Sequence, residues 1–169
     1  QIAVGPKAWH GTFSIDELDN VIMYAEYPAN TGRDGPCIPA SVFKSTDDGI
    51  SWMEVLKVDY PGIRHFHTCT ALGAGNWLVT SGDATEQCRF WKSDDDGESW
   101  LEITNSKPNV PVRDGYGQLI HRTVVMHPHE GGVIWATDDP VGPIDEFLQP
   151  RDGFRTRSRL VTSNIEGII

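Results

Sequence analysis

Residues 64–100 read RHFHTCTALGAGNWLVTSGDATEQCRFWKSDDDGESW, and the fold is decided in this stretch. An apolar-alternating run from His65 to Leu72 meets a glycine-rich turn, Gly73 to Gly75. A second run, Trp77 to Thr80, returns into Ser81-Gly82-Asp83. Alternation with a period of two on either side of such a turn predicts a β-hairpin. A third run, Cys88 to Lys92, enters the acidic turn Ser93-Asp94-Asp95-Asp96-Gly97-Glu98-Ser99-Trp100, and a fourth, Trp100 to Thr104, leaves it. The stretch therefore reads as four antiparallel strands joined in sequence.

Four strands in about forty residues is the size of one propeller blade, and the flanking segments read as imperfect copies. The first copy starts at Trp9-His10-Gly11-Thr12, turns through Asp16 to Asn20, and returns as Val21 to Tyr24 into Ala25-Glu26-Tyr27. A Pro- and Gly-rich excursion, Pro28 to Pro39, separates this hairpin from the strand Ser41 to Lys44, the turn Ser45 to Trp52 and the strand Trp52 to Val58. The third copy starts at Ile120-His121-Arg122-Thr123, turns through His127 to Gly132, and returns as Val133 to Ala136 into Asp138. Its last two strands, Asp145 to Gln149 and Arg157 to Thr162, flank a turn that keeps only Gly153. The expected architecture is all-β, a propeller of four-stranded blades at about 8–58, 63–105 and 117–164, forming part of a six- or seven-bladed ring.

Spacing supports the repeat. His10 to Glu26 and His67 to Asp83 are each 16 residues, and His121 to Asp138 is 17. Each hairpin thus has a histidine at the start of its first strand and an acid at the end of its second.

Composition bounds the partners. The 169 residues carry a net charge of -10 and a pI near 4.9, with Lys and Arg spread singly. An acidic surface without a basic stripe argues against nucleic acid or an anionic membrane as partner. No apolar run approaches the length of a membrane span, and QIAVGPKAW lacks the regions of a signal peptide. Cys37, Cys69 and Cys88 are an odd number without CxxC spacing, so neither a disulfide framework nor a zinc ribbon is expected, and a single pair with one thiol left over is the most they allow. The chain starts without Met, and three blades do not close a ring. The expectation is a partial chain completed by further blades of the same protein or by a second chain.

The acidic turns share a pattern. Ser45-x-Asp47-x-Gly49-x-x-Trp52 and Ser93-x-Asp95-x-Gly97-x-x-Trp100 fit a hairpin turn whose hydroxyl and carboxylate bond nearby amides, with Gly at positive φ and Trp packed back over the turn. Both resemble the Asp-box, or bacterial neuraminidase repeat, at every fixed position. The third copy follows only by hydrophobic pattern, with Arg151, Gly153 and Thr156 where Asp, Gly and Trp would stand. The resemblance implies a sialidase-like β-propeller, with the box as a fold element away from the site; the compartment is not read from the chain's ends, and an extracellular or secreted setting is the one favoured. The clustered carboxylates Asp94 to Asp96 are either solvated or a Ca²⁺ site.

Strand direction then places the candidate site. The first strand of a blade is innermost, so its start and the end of the second strand share one face, opposite the boxes. His10, His67 and His121 with Glu26, Asp83 and Asp138 would form a polar funnel there. His65 alternates with His67 on one strand face, and Arg64 and Arg122 stand beside the histidines, suited to a carboxylated substrate. Two readings remain open: a ligand site, or polar contacts that link the two inner strands of each blade. His127 and His129, around Pro128, are expected in an exposed turn. The Trp residues read as core, except Trp9 on the rim.

The resemblance implies carbohydrate as partner and a glycosidase or polysaccharide lyase as the enzyme classes. The Phe-Arg-Ile-Pro motif of true sialidases is absent, so Arg64, Arg113 and Arg122 are not assigned as their arginine triad. The histidine-rich starts are more similar to propeller lyases whose metal is held by histidines. On that reading His65, His67 and His121 hold Zn, Mn or Ca. Arg64, His65, His67, Asp83, Arg122 and Asp138 are then the catalytic set, with His10, Glu26 and His121 as binding residues. The alternative is a non-catalytic glycan-binding or adhesion module, or a scaffold component, which needs only the funnel and loops.

Overall fold

The computed structural model describes residues 14–28, 38–59, 62–82, 87–104, 122–130 and 132–137, and the backbone of 159–164. These residues form three antiparallel sheets. Sheet one runs in the order β1 (Ile15–Leu18), β2 (Val21–Ala25), β3 (Ala40–Ser45), β4 (Met53–Val58). Sheet two is β5 (Phe66–Gly73), β6 (Asn76–Ser81), β7 (Phe90–Ser93), β8 (Leu101–Glu102). Sheet three is β9 (Thr123–His129), β10 (Gly132–Thr137), β11 (Arg159–Asn164), with β10 in the middle. Each described sheet is a meander of neighbouring strands, as the alternating sequence runs predict.

Local chemistry sets the turns. Leu18 pairs with Val21, so the first hairpin closes over Asp19-Asn20, both at positive φ (50° and 67°), the twist that matches the flanking strands. Asp16 and Glu17, expected in this turn, are strand residues instead. Asp16 Oδ2 accepts a hydrogen bond from Ala71 N of sheet two at 2.9 Å, a tertiary contact that local polarity does not reveal. His127, Pro128 and His129 likewise belong to β9 and not to a turn, although they are exposed as expected.

The two acidic turns match bond for bond. Ser45 Oγ donates to Asp47 Oδ1 (2.8 Å) and accepts from Gly49 N (2.9 Å), while Ser51 N and Oγ donate to the Asp47 carboxylate at 2.9 and 2.6 Å. Ser93, Gly97, Ser99 and Asp95 repeat this at 2.8, 2.8, 2.9 and 2.6 Å. Trp52 Nε1 and Trp100 Nε1 donate to the carbonyls of Gly49 and Gly97 at 3.1 and 3.2 Å, with φ of +78° and +81° at the glycines. These bonds stabilise the ionised carboxylates. The Ser99 hydroxyl, then its amide, then the Ser93 hydroxyl hold the Asp95 carboxyl down at about 2. The Ser51 hydroxyl and amide, followed by the Ser45 hydroxyl, lower that of Asp47. Asp96 Oδ1 accepts from Trp77 Nε1 at 3.2 Å while the Asp95 carboxylate is held within its own turn, so these two neighbours are engaged separately.

Sheet two is buried on both faces. Met23, Ala25 and Val42 of sheet one pack against Phe66, Cys69, Trp77, Val79 and Trp91, while Leu78, Phe90 and Ile103 pack against Met126, Val133 and Trp135 of sheet three. Successive residues Trp77, Leu78 and Val79 thus serve alternate cores, as the strand period of two dictates. Cys69 and Cys88 are both buried, and desolvation pushes the Cys69 thiol far up. Across the first interface Lys44 Nζ, nearly buried, meets Glu98 Oε1 at 2.5 Å. First strands contact first strands, β1 against β5 and β5 against β9. The described residues do not close into a barrel or ring.

Strand register corrects the alignment of the third copy. Thr123 pairs with Thr137 as Phe66 pairs with Ser81, so Thr123 stands where Phe66 stands and His121 corresponds to Arg64, not to His67. Both first strands carry the same bulge, His67 between Phe66 and Thr68 and Val124 between Thr123 and Val125, so Val124 holds the register position of His67. Arg159–Asn164 pairs with β10 and is therefore the third strand of its sheet, not the fourth. Val133 pairs with Ser163 as Ile22 pairs with Ser45 and Trp77 with Ser93, which puts Ser163 at the register position of the two turn serines; Arg151 to Gly153 lie outside the described residues. The segment Asp145 to Gln149 lies outside the described residues.

Candidate functional site

The three sheets meet where β2 ends and β5 and β9 begin. Glu26 N donates to Ser41 O (2.8 Å), and Glu26 O accepts from Phe66 N (3.1 Å), which joins the end of the first hairpin to the start of sheet two. The next residue, Tyr27, is thereby laid on His65, with ring centroids 3.6 Å apart and planes 17° from parallel. His65 Nε2 and His67 Nε2 are 3.1 Å apart, and His67 Nδ1 reaches the carbonyl of Thr123 at 2.5 Å. One residue from each of three sheets is bound into a single seam.

The acceptor fixes the tautomer. A carbonyl only accepts, so Nδ1 of His67 carries hydrogen; in the neutral ring Nε2 then accepts from the Nε2–H of His65. The bulge at His67 is what allows its ring to leave the β5–β6 ladder for the next sheet. His65 is 2% exposed beneath Tyr27, whereas Arg64, His67, Arg122 and Tyr27 are half-buried. His65 is accordingly a positioning residue, and the other four form the accessible polar surface.

Glu26 is turned elsewhere. Its carboxylate accepts from Ser41 N at 3.1 Å, and Ser41 Oγ donates to Glu54 Oε2 at 2.9 Å. Burial, partly opposed by the Ser41 amide and aided by Glu54, raises the Glu26 carboxyl above its ordinary range. Neighbouring Tyr24 is raised further, by burial and then by Glu26. His10, Asp83, His121 and Asp138 lie outside the described residues. Of the expected funnel, the structure brings His65 and His67 together, places Arg122 next to Thr123, and gives Glu26 to its own sheet.

Histidine contacts run between sheets, from His67 to Thr123, and not only within one sheet. Tyr27 was not among the site residues read from the sequence. The signal available was its position directly after a strand end whose partner acid had already been singled out.

A divalent metal is a poor fit to the described donors. His65 and His67 turn Nε2 toward each other, His67 Nδ1 is held by a carbonyl, and no group of three or more His, Cys, Asp or Glu side chains among the described residues is gathered to hold an ion. No helix among the described residues is long and apolar enough to cross a membrane. Comparisons of the chain with protein-family models and with curated proteins found no match.

Proposed function

We propose that the chain is part of an Asp-box β-propeller that binds acidic glycans where its first strands begin. The observation that carries the site is the convergence of Tyr27, His67 and the Arg122-Thr123 start from three successive sheets. The propeller reading is supported by two identical turn networks and by first strands that neighbour one another in series. Half-buried Arg64 and Arg122 match a sugar carboxylate, to which guanidinium donates two parallel hydrogen bonds. Tyr27 and His67 supply a polar aromatic edge for ring hydroxyls.

Binding is favoured over catalysis by one feature. A general base needs a lone pair directed at substrate, and the Nε2 lone pair of neutral His67 is used by His65. A lyase or glycosidase is the second reading, with His67 as base if substrate displaces His65. The test is a glycan array of uronate-containing, sialylated and neutral oligosaccharides, probed with wild type, Tyr27→Ala and Arg122→Ala. The absorbance of unsaturated uronate products is followed in parallel. Retention of acidic glycans that is lost in both variants supports the proposal; retention unaffected by either variant, or no acidic preference, rejects it.

A further inference from the structure

Sheets one and two carry different chemistry at matched ladder positions. Aligning Ile22↔Ser45 with Trp77↔Ser93 makes Phe43 equivalent to Trp91, Ser41 to Arg89, Glu26 to Ser81 and Glu54 to Glu102. The backbone agrees, since Glu26 N donates to Ser41 O (2.8 Å) as Ser81 N donates to Arg89 O (2.9 Å). In sheet two Arg89 Nη1 meets Glu102 Oε2 at 3.3 Å, a guanidinium against a carboxylate. Sheet one has serine in place of that arginine and a further carboxylate, Glu26, in place of Ser81. Ser41 N donates to Glu26 Oε2 at 3.1 Å and Ser41 Oγ to Glu54 Oε2 at 2.9 Å, so both carboxylates are held on one serine. Lys57 stands 3.8 Å from Glu54 Oε1 and is half exposed, and its single charge leaves the group with a negative excess that sheet two does not have.

Tyr24 is the second, independent feature. Alternation puts it on the same face of sheet one as Glu26, Ser41 and Phe43, opposite the face of Met23, Ala25 and Val42. Its ring stacks on Phe43, the ladder partner of Glu54, with centroids 5.8 Å apart and planes 13° from parallel. Tyr24 is 4% exposed, and its hydroxyl is buried without a hydrogen-bond partner. A hydroxyl left in that state costs free energy that an incoming polar group recovers. The Glu26 charge acts on this phenol and the Glu54 charge acts on Glu26, so the three groups lie within electrostatic reach of one another. We infer that Glu26, Glu54 and Tyr24 form a binding site for a guanidinium group, carried by a ligand into the place that Arg89 fills in sheet two. Guanidinium fits because its planar fork of donors serves two carboxylates and a phenol oxygen together, and because its delocalised charge is tolerated beside the Tyr24 and Phe43 rings. Glu26 Oε2 is taken by Ser41, which leaves Oε1 for the ligand. The site is separate from the seam of Tyr27 and His67, and the inference stands whether or not that seam binds glycan.

Titration of the ¹⁵N-labelled 169-residue chain with N-acetylarginine amide, N-acetyllysine amide and an acetylated Gly-Arg-Gly amide tests it. Both arginine compounds are expected to give saturable shifts at the Ser41 and Glu54 amides, and the lysine compound to bind at least about tenfold more weakly. Tighter binding of the peptide marks a peptide arginine as the source, and equal binding marks a free guanidinium compound. Glu54→Gln, at an exposed position, is expected to weaken binding about tenfold, and Tyr24→Phe, which keeps the ring, about threefold. Ser41→Arg sets the sheet-two pair into sheet one and is expected to abolish binding. Absence of saturable shifts, equal affinity for the lysine compound, or binding indifferent to Glu54→Gln or to Tyr24→Phe would each overturn the assignment.

Discussion

Gly49 and Gly97 make a matched pair, because they hold the same place in two turns with the same bonds and nearly the same φ, +78° and +81°. Alanine at either must adopt the left-handed conformation, at about 1–2 kcal/mol. At Gly49 the new Cβ would sit 3.5 Å from Trp52, an ordinary contact. At Gly97 it would sit 2.6 Å from Met23 Cε, over an ångström inside normal carbon separation, and Met23 is fully buried. Displacing that methyl within a packed core adds about 1–3 kcal/mol. Gly49→Ala is therefore expected to cost about 1–2 kcal/mol and Gly97→Ala about 2–5 kcal/mol in urea unfolding. In a Met23→Ala background, where the methyl is gone, the two increments should become equal. Equal costs in the wild-type background, or a gap that survives Met23→Ala, would refute the claim that turn two is wedged against sheet one.

Three further outcomes follow from the interfaces and turns. Both turn aspartates have folded pKa values below the unfolded value, so their stabilisation is present above about pH 4 and is lost as pH falls toward about 2. Asp47→Asn with Asp95→Asn should flatten the acid limb of the stability curve in that window, and an unchanged limb would contradict the bond pattern. Glu98→Gln, which leaves Lys44 nearly buried beside a neutral partner, is expected to destabilise by about 1 kcal/mol or more, whereas Lys44→Met should cost less because it removes the charge itself. Chemical denaturation of the two variants would decide this, and the reverse order would show that the pair is dispensable. His67→Ala is expected to speed amide exchange at Val124 and Val125 more than at Leu101 and Glu102, since only the start of β9 depends on the His67 contact.

The strands and turns were legible because their causes are local. Ser45-x-Asp47-x-Gly49 and Ser93-x-Asp95-x-Gly97 specify their own hydrogen bonds, and Trp77-Leu78-Val79 alternates between two cores as its period implies. Register was less legible. Histidine-to-acid spacing aligned His121 with His67, whereas the ladders put Val124, the unpaired residue of β9, at the place of His67. The third copy was out of phase for a related reason: Arg159–Asn164 carries no acidic turn signature at Ser163, and only its pairing with β10 reveals its rank. At the site, His65 and His67 could be found from alternation. Tyr27 had only its place after Glu26 to mark it, because its contact is made by the Glu26–Phe66 bond between sheets, a tertiary feature with no periodic trace.

The central claim is that acidic sugar is held at the seam of Tyr27, His67 and Arg122. It is tested most directly by following the histidine ring resonances of ¹³C-labelled protein during titration with a uronate oligosaccharide. The account predicts saturable shifts at His67 and its neighbour His65, no shift at exposed His127 and His129 on the far part of β9, and loss of the response in Tyr27→Ala. Rings of His65 and His67 that stay unmoved at saturating uronate, or shifts confined to His127 and His129, would contradict it.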